Sequence, residues 1–169
     1  GCWVLAELLK AVPSRRFPVL LAQHLDGEFV GFFAQWLEGT TGWRARVVDA
    51  PVPLEEGVVY LPAGGRDLCV DRERHAFAAA SASRFVPNAD RLFSTFAEAF
   101  GANATGVVLS GMGSDGARGL AELARRGGRA LCQLPGSAIV PSMPESALRA
   151  AKGAAAMPPE LLGAALLQD

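Results

Sequence analysis

Two short runs constrain the fold more than anything else in the chain. Residues 17–22 and 106–109 are apolar or glycine at every position, and each gives way at once to polar residues. A strand with one wet face alternates apolar and polar side chains. A strand that does not alternate is covered on both faces, as in a parallel sheet packed between helices. Amphipathic stretches flank these runs. Residues 1–12 carry Val4, Leu5, Leu8, Leu9 and Val12 at helical spacing and stop at Pro13. Residues 26–38 carry Phe29, Phe32, Phe33, Trp36 and Leu37, with Asp26 as N-cap and Gly39 as stop. Residues 90–100, 117–126, 144–152 and 158–167 read as further helices, and 129–133 as a further strand. Between them, 44–48, 57–61, 67–70 and 76–80 read as short strands forming a meander or hairpin layer. Pro51, Pro53, Gly64, Gly65 and a charged tip at 71–74 separate these strands. The prediction is an α/β fold in one domain spanning 1–169. Its core is a doubly wound, mostly parallel sheet with helices on both faces, plus a small antiparallel hairpin insertion.

The bulk properties remove several classes of function. A net charge of −1 gives no electrostatic grip on nucleic acid or on an anionic membrane. The apolar runs are too short for membrane insertion. Three cysteines, Cys2, Cys69 and Cys132, lack CxxC spacing and read as free thiols of a reducing, cytoplasmic compartment. No metal site is expected, because neither histidine has a ligand partner at i+3 or i+4.

Chemistry in an open α/β sheet collects beyond the carboxyl ends of the strands. Two such ends carry reactive groups: Gln23-His24-Leu25-Asp26, and Gly111-Met112-Gly113-Ser114-Asp115-Gly116. Only two histidines are present, so neutral-pH proton shuttles are few. His75 stands beside the charged tip and reads as solvated. His24 is either a hydrogen-bonded structural residue or a general base. Asp115 is either the N-cap of the helix at 117–126 or the orienting acid of a nucleophile–base–acid relay. A carboxylate at a helix start is stabilised by the helix dipole.

The second cluster also matches GxGxxG, but a dinucleotide site needs an acid at the end of the next strand. That strand ends in Cys132-Gln133-Leu134, and Asp115 would repel a pyrophosphate. Nucleotide binding is therefore the weaker use of this turn, and no cofactor is expected.

These two clusters carry a family pattern. Phe17-Pro18-Val19-Leu20-Leu21-Ala22-Gln23-His24-Leu25, with Glu28-Phe29, resembles the segment around the base of chemotaxis protein-glutamate methylesterases of the CheB type. Residues 106–117, from Gly106 through Ser110-Gly111-Met112-Gly113-Ser114-Asp115-Gly116 to Ala117, are similar to that family's glycine-rich acid loop. Cys132-Gln133 with Met143-Pro144 and Ala147, and Pro87 with Asp90, Leu92 and Phe93, extend the likeness over essentially the whole chain. Three stretches depart from the family pattern: Phe85-Val86-Pro87-Asn88-Ala89-Asp90, Gly64-Gly65-Arg66-Asp67 and Ser142-Met143-Pro144-Glu145.

The resemblance implies a serine hydrolase that demethylates glutamate γ-methyl esters, and deamidates glutamines, on the cytoplasmic helices of chemoreceptors. His24 would be the base and Asp115 its acid. Gln23, Gly111, Met112 and Gly113 would line the active site. The serine is expected three residues upstream of Gly1, in a turn after a preceding strand. Cys2, Ser110, Ser114 and Ser142 are weak substitutes for it. A response-regulator receiver domain is a possible further partner. The rival expectation is a non-catalytic relative that binds receptor helices or a signalling partner.

Overall fold

A computed structural model describes residues 1–167. Helix α1 (Cys2–Lys10) leads to strand β1 (Val19–Leu20) and helix α2 (Val30–Thr41). Strands β2 (Arg44–Val48), β3 (Val52–Pro53), β4 (Val58–Pro62), β5 (Arg66–Val70) and β6 (His75–Ala80) follow. Helix α3 (Ala89–Phe100), β7 (Thr105–Val108), α4 (Ala117–Arg125), β8 (Arg129–Gln133), α5 (Ser142–Ala150), β9 (Ala155–Met157) and α6 (Pro159–Ala165) complete the order.

Two parallel ladders form the centre, β1-β4-β2 and β7-β8-β9. Period-two alternation assigns their faces. Val59 and Leu61, Val107 and Leu109, and Leu131 all point into one core with α1, α2 and α6. Val58 and Tyr60 point the other way, onto Leu68, Ala76 and Leu92 of β5, β6 and α3. Val108, Ala130 and Cys132 meet α4 and α5 on that side. The β1 ladder is only two residues long, so its hydrogen bonds contribute little. Fully buried Leu9, Leu37, Leu61 and Leu162 each contribute about 1.5–3 kcal/mol, so side-chain packing fixes the two ladders in one core. Trp43 joins them, its indole Nε1 donating to the Leu9 carbonyl at 3.0 Å.

The α/β prediction holds, with helices on both faces, but several particulars change. Residues 44–48 and 58–62 belong to the parallel ladder and not to a meander. Every residue of β4 is buried, the mark of a strand covered on both sides. Among the described residues, only β3, β5 and β6 form the antiparallel layer. Asp26 caps a short 3₁₀ turn at Gly27–Phe29, and α2 proper begins at Val30. Its stop is Gly42 at φ 71° and not Gly39, because only Gly42 adopts the left-handed conformation. Strands β3 and β9 had not been expected. Ala155-Ala156-Met157 has no β-branched residue, and its pairing with β8 makes it a strand.

Candidate active site

The loops after β1 and β7 meet at one rim. His24 Nε2 lies 2.7 Å from Asp115 Oδ2. The Asp115 side chain is 1 % exposed, and the His24 side chain keeps 31 % of its surface open. One partner is therefore sealed in and the other reaches the rim.

The loop carrying Asp115 is built from glycine and local clasps. Gly116 takes φ 91°, a conformation that strains any residue with a Cβ. Ser142 Oγ donates to the Gly111 carbonyl at 3.0 Å and accepts the Gly113 amide at 3.0 Å. The Gly111 amide donates to the Val140 carbonyl at 3.0 Å. Gln133 is fully buried. Its Oε1 accepts the Ser110 amide at 2.9 Å, and its Nε2 donates to the Ser137 carbonyl at 3.1 Å. The amides of Gly111 and Gly113 are therefore committed inside the protein and are not free to face a phosphate.

Asp115 serves a different helix from the one expected. The N-cap of α4 is Gly116, with no side-chain capping bond. The Asp115 carboxylate instead closes on the start of α3. Ala89 N donates to Oδ2 at 2.8 Å, Asp90 N to Oδ1 at 3.1 Å, and Asn88 Nδ2 to Oδ1 at 3.2 Å. The stabilising helix terminus is thus that of α3. Gly119 of α4 makes this approach possible, since a Cβ there would lie 2.4 Å from the Asp90 carbonyl oxygen.

Burial by itself would raise the Asp115 carboxyl. The His24 hydrogen bond and the Ala89 and Asp90 amides outweigh it and hold the group below the ordinary carboxylate value. His24 is raised above 6.5, chiefly by the bond to Asp115. Burial opposes that shift, while the Asp115 charge and the Pro87 carbonyl add to it. Phe85 stacks beside the imidazole, with ring centroids 6.0 Å apart, and Arg84 lies 4.9 Å over the Phe85 ring.

The other expected residues differ in their surroundings. Gln23 lines a shallow cleft with Leu25, Gly64, Arg66 and Pro87. Gly113 approaches Phe85, with 3.9 Å from its would-be Cβ to Cζ. Met112 stands out at 80 % exposure. His75 lies apart, its Nδ1 3.4 Å from Asp71. Sequence reasoning missed Asn88 and Phe85 as neighbours of the pair. Asn88 carried a helix-start signal after Pro87, but nothing local tied it to Asp115.

Three cysteines are free. Burial pushes the Cys132 thiol up to about 11, which makes it inert as a nucleophile. No helix among the described residues is long and apolar enough to cross a membrane.

Fold and site together define an α/β domain with a hydrogen-bonded histidine–aspartate pair at its strand ends, a pairing that hydrolases use to activate a nucleophile. The chain belongs to the CheB methylesterase family, whose model matches residues 1–166. It is 38% identical, over 99% of its length, to the protein-glutamate methylesterase FrzG of Myxococcus xanthus, covering 51% of that protein. It is 40% identical to protein-glutamate methylesterase/protein-glutamine glutaminase 3 of Anaeromyxobacter dehalogenans (strain 2CP-C), over 94% of this chain and 46% of that one. The chain thus spans about half the length of these relatives. The crystal structure of the Thermotoga maritima CheB methylesterase catalytic domain has the same fold. Its TM-score is 0.87 at 22% identity, covering 98% of this chain and 91% of that chain.

Proposed function

We propose that this chain is the catalytic part of a serine-type ester hydrolase that demethylates glutamate γ-methyl esters on the cytoplasmic helices of chemoreceptors. It also deamidates glutamines there. The observation that carries the reading is the 2.7 Å bond between half-open His24 and sealed Asp115. Asp115 engages Nε2, so Nδ1 is the ring nitrogen that takes the proton of a nucleophile.

The nucleophile in this reading is a serine preceding Gly1. Two features support that route. A Cβ built on Gly1 would lie 3.7 Å from the Ser110 carbonyl oxygen and 3.9 Å from Gln23 Nε2, so Gly1 itself lies at the rim that holds the pair. Among the described residues, β1 pairs only with β4 and β7 only with β8, so neither has a strand paired on its other edge. Ser110 and Ser142 are poor substitutes, since the loop clasps occupy both hydroxyls.

In the first half-reaction, the serine oxygen attacks the ester carbonyl as His24 takes its proton. The tetrahedral intermediate collapses, and methanol leaves with that proton. Backbone amides near the serine hold the oxyanion, each donor contributing ~3 kcal/mol to the transition state. In the second half-reaction, His24 deprotonates water, which releases the glutamate carboxylate. Glutamine follows the same course with ammonia as the leaving group. Receptor helices are the substrate partner, and a receiver domain is a regulatory one.

The test is methanol release from a methyl-esterified receptor cytoplasmic fragment by the encoded protein. His24→Ala and Asp115→Asn are each expected to lower kcat on the order of 10³–10⁴-fold with the fold intact. Wild-type turnover in either variant refutes the assignment. An inactive wild-type protein that still binds the fragment favours the non-catalytic relative.

A further inference from the structure

We propose that Asn88 is a positioning residue of the relay: one carboxamide both caps α3 and pins the carboxylate that holds His24. The inference rests on reading His24 and Asp115 as the catalytic pair, and it adds a residue that acts through Asp115.

Ser, Thr, Asp and Asn all cap helices by offering an oxygen to an early amide. The carboxamide of Asn offers an acceptor and two donors at once, and Asn88 uses both kinds. Its Oδ1 accepts the Arg91 amide at 2.8 Å. Its Nδ2 donates to Asp115 Oδ1 at 3.2 Å and to Ser83 Oγ at 3.3 Å. The Asn88 backbone is fixed from behind, because its amide donates to Asp67 Oδ1 at 2.8 Å. Asp67 is 1 % exposed, and its Oδ2 accepts from Arg91 at 3.1 Å. Arg91 also donates to the Ala80 carbonyl at 2.8 Å, which ties α3 to β6.

Asp115 therefore receives four donors on two oxygens. Asn88 Nδ2 and Asp90 N reach Oδ1, and Ala89 N and His24 Nε2 reach Oδ2. An ionised carboxylate offers about four acceptor sites, so the group is saturated and cannot turn without breaking a bond. Removing the Asn88 donor takes away one of the two bonds on Oδ1 and leaves the aim of the carboxylate at the imidazole to the Ala89 and Asp90 amides.

Other charges around the carboxylate are few. His24 faces it from the β1 loop. Asp90 turns its own carboxylate away, to the Gly119 amide at 2.8 Å and Arg118 at 3.1 Å. Asp67 and Arg91 stand behind Asn88.

Asn88→Asp and Asn88→Ser separate capping from positioning, since both can still cap α3. In the encoded protein, Asn88→Asp is expected to lower kcat for methanol release about tenfold or more while KM moves less than about twofold. Its added negative charge favours the imidazolium, so the acid limb of the pH–rate profile and the His24 ring titration, followed by NMR, both move to higher pH. Asn88→Ser lowers kcat without that upward move. Asn88→Ala loses the cap as well, so its melting temperature falls. A wild-type kcat and acid limb in Asn88→Asp overturn the proposal. So does a loss of activity that merely tracks melting temperature across the three variants. If Asp115→Asn is inactive while Asn88→Asp behaves as wild type, this inference alone fails. If Asp115→Asn is active, the underlying reading fails.

Discussion

Asp115 offers His24 the same oxygen, Oδ2, that it offers the Ala89 amide, at 2.7 Å and 2.8 Å. The imidazole is thus aligned against the first turn of α3 through a single shared atom. A lone carboxylate beside a histidine is free to rotate. This one is held by a helix terminus whose partial positive charge favours its ionised form.

The two pKa shifts predict opposite trends in stability and turnover. His24 is raised above 6.5, so its contribution to stability is complete below 6.5 and is lost as pH rises through the folded value. Asp115 is lowered below 3.8, so its contribution is complete above 3.8 and is lost as pH falls through the folded value. The difference in melting temperature between the native chain and His24→Ala should therefore be largest between these two ordinary values and shrink on either side. General-base catalysis needs the neutral ring, so the acid limb of kcat/KM should lie above 6.5. Calorimetry and a pH–rate series on the same preparations test both trends. An acid limb at or below the ordinary histidine value contradicts the predicted shift.

Gly119→Ala should damage the site from a distance. Its Cβ would sit 2.4 Å from the Asp90 carbonyl oxygen and 2.7 Å from the Asp90 Cα, both backbone atoms that cannot step aside. Overpacking of this kind costs about 1–3 kcal/mol. The forced separation of α3 and α4 also pulls the Asp90 amide from Asp115. Urea denaturation should register the destabilisation, and kcat should fall further than the stability loss alone explains.

Gln133→Leu should loosen the acid loop. The variant leaves the part-buried Ser110 amide without its present acceptor, and losing that partner costs up to about 1–3 kcal/mol, the value for a fully buried donor. Faster hydrogen exchange at residues 110–113, with little change in α1 or α2, is the expected signature. Protection lost evenly across the chain would assign Gln133 to global stability instead.

How much of this was legible beforehand depends on whether the determinant was local. The runs at 17–22 and 106–109 announced covered strands because burial on both faces leaves no polar position. His24 and Asp115 stood out because each is a reactive group at the end of such a run. Residues 44–48 misled because a parallel edge strand and a meander strand carry the same short alternating pattern. Pairing with β4 distinguishes them, and pairing is not a property of the segment. The attachment of Asp115 to Ala89 and Asp90 spans 26 and 25 residues of sequence, and Asn88 looks like any helix cap until α4 is packed against α3.

The grip of α3 on Asp115 has a consequence for protein engineering. The acid and its loop are not a portable cassette. Grafted onto another scaffold without the opening turn of α3 and the hairpin that braces it, the loop would carry the right letters and aim them at nothing. The smallest unit that can be transplanted is the three chain segments, far apart in sequence, that meet at this carboxylate, together with the hairpin behind them.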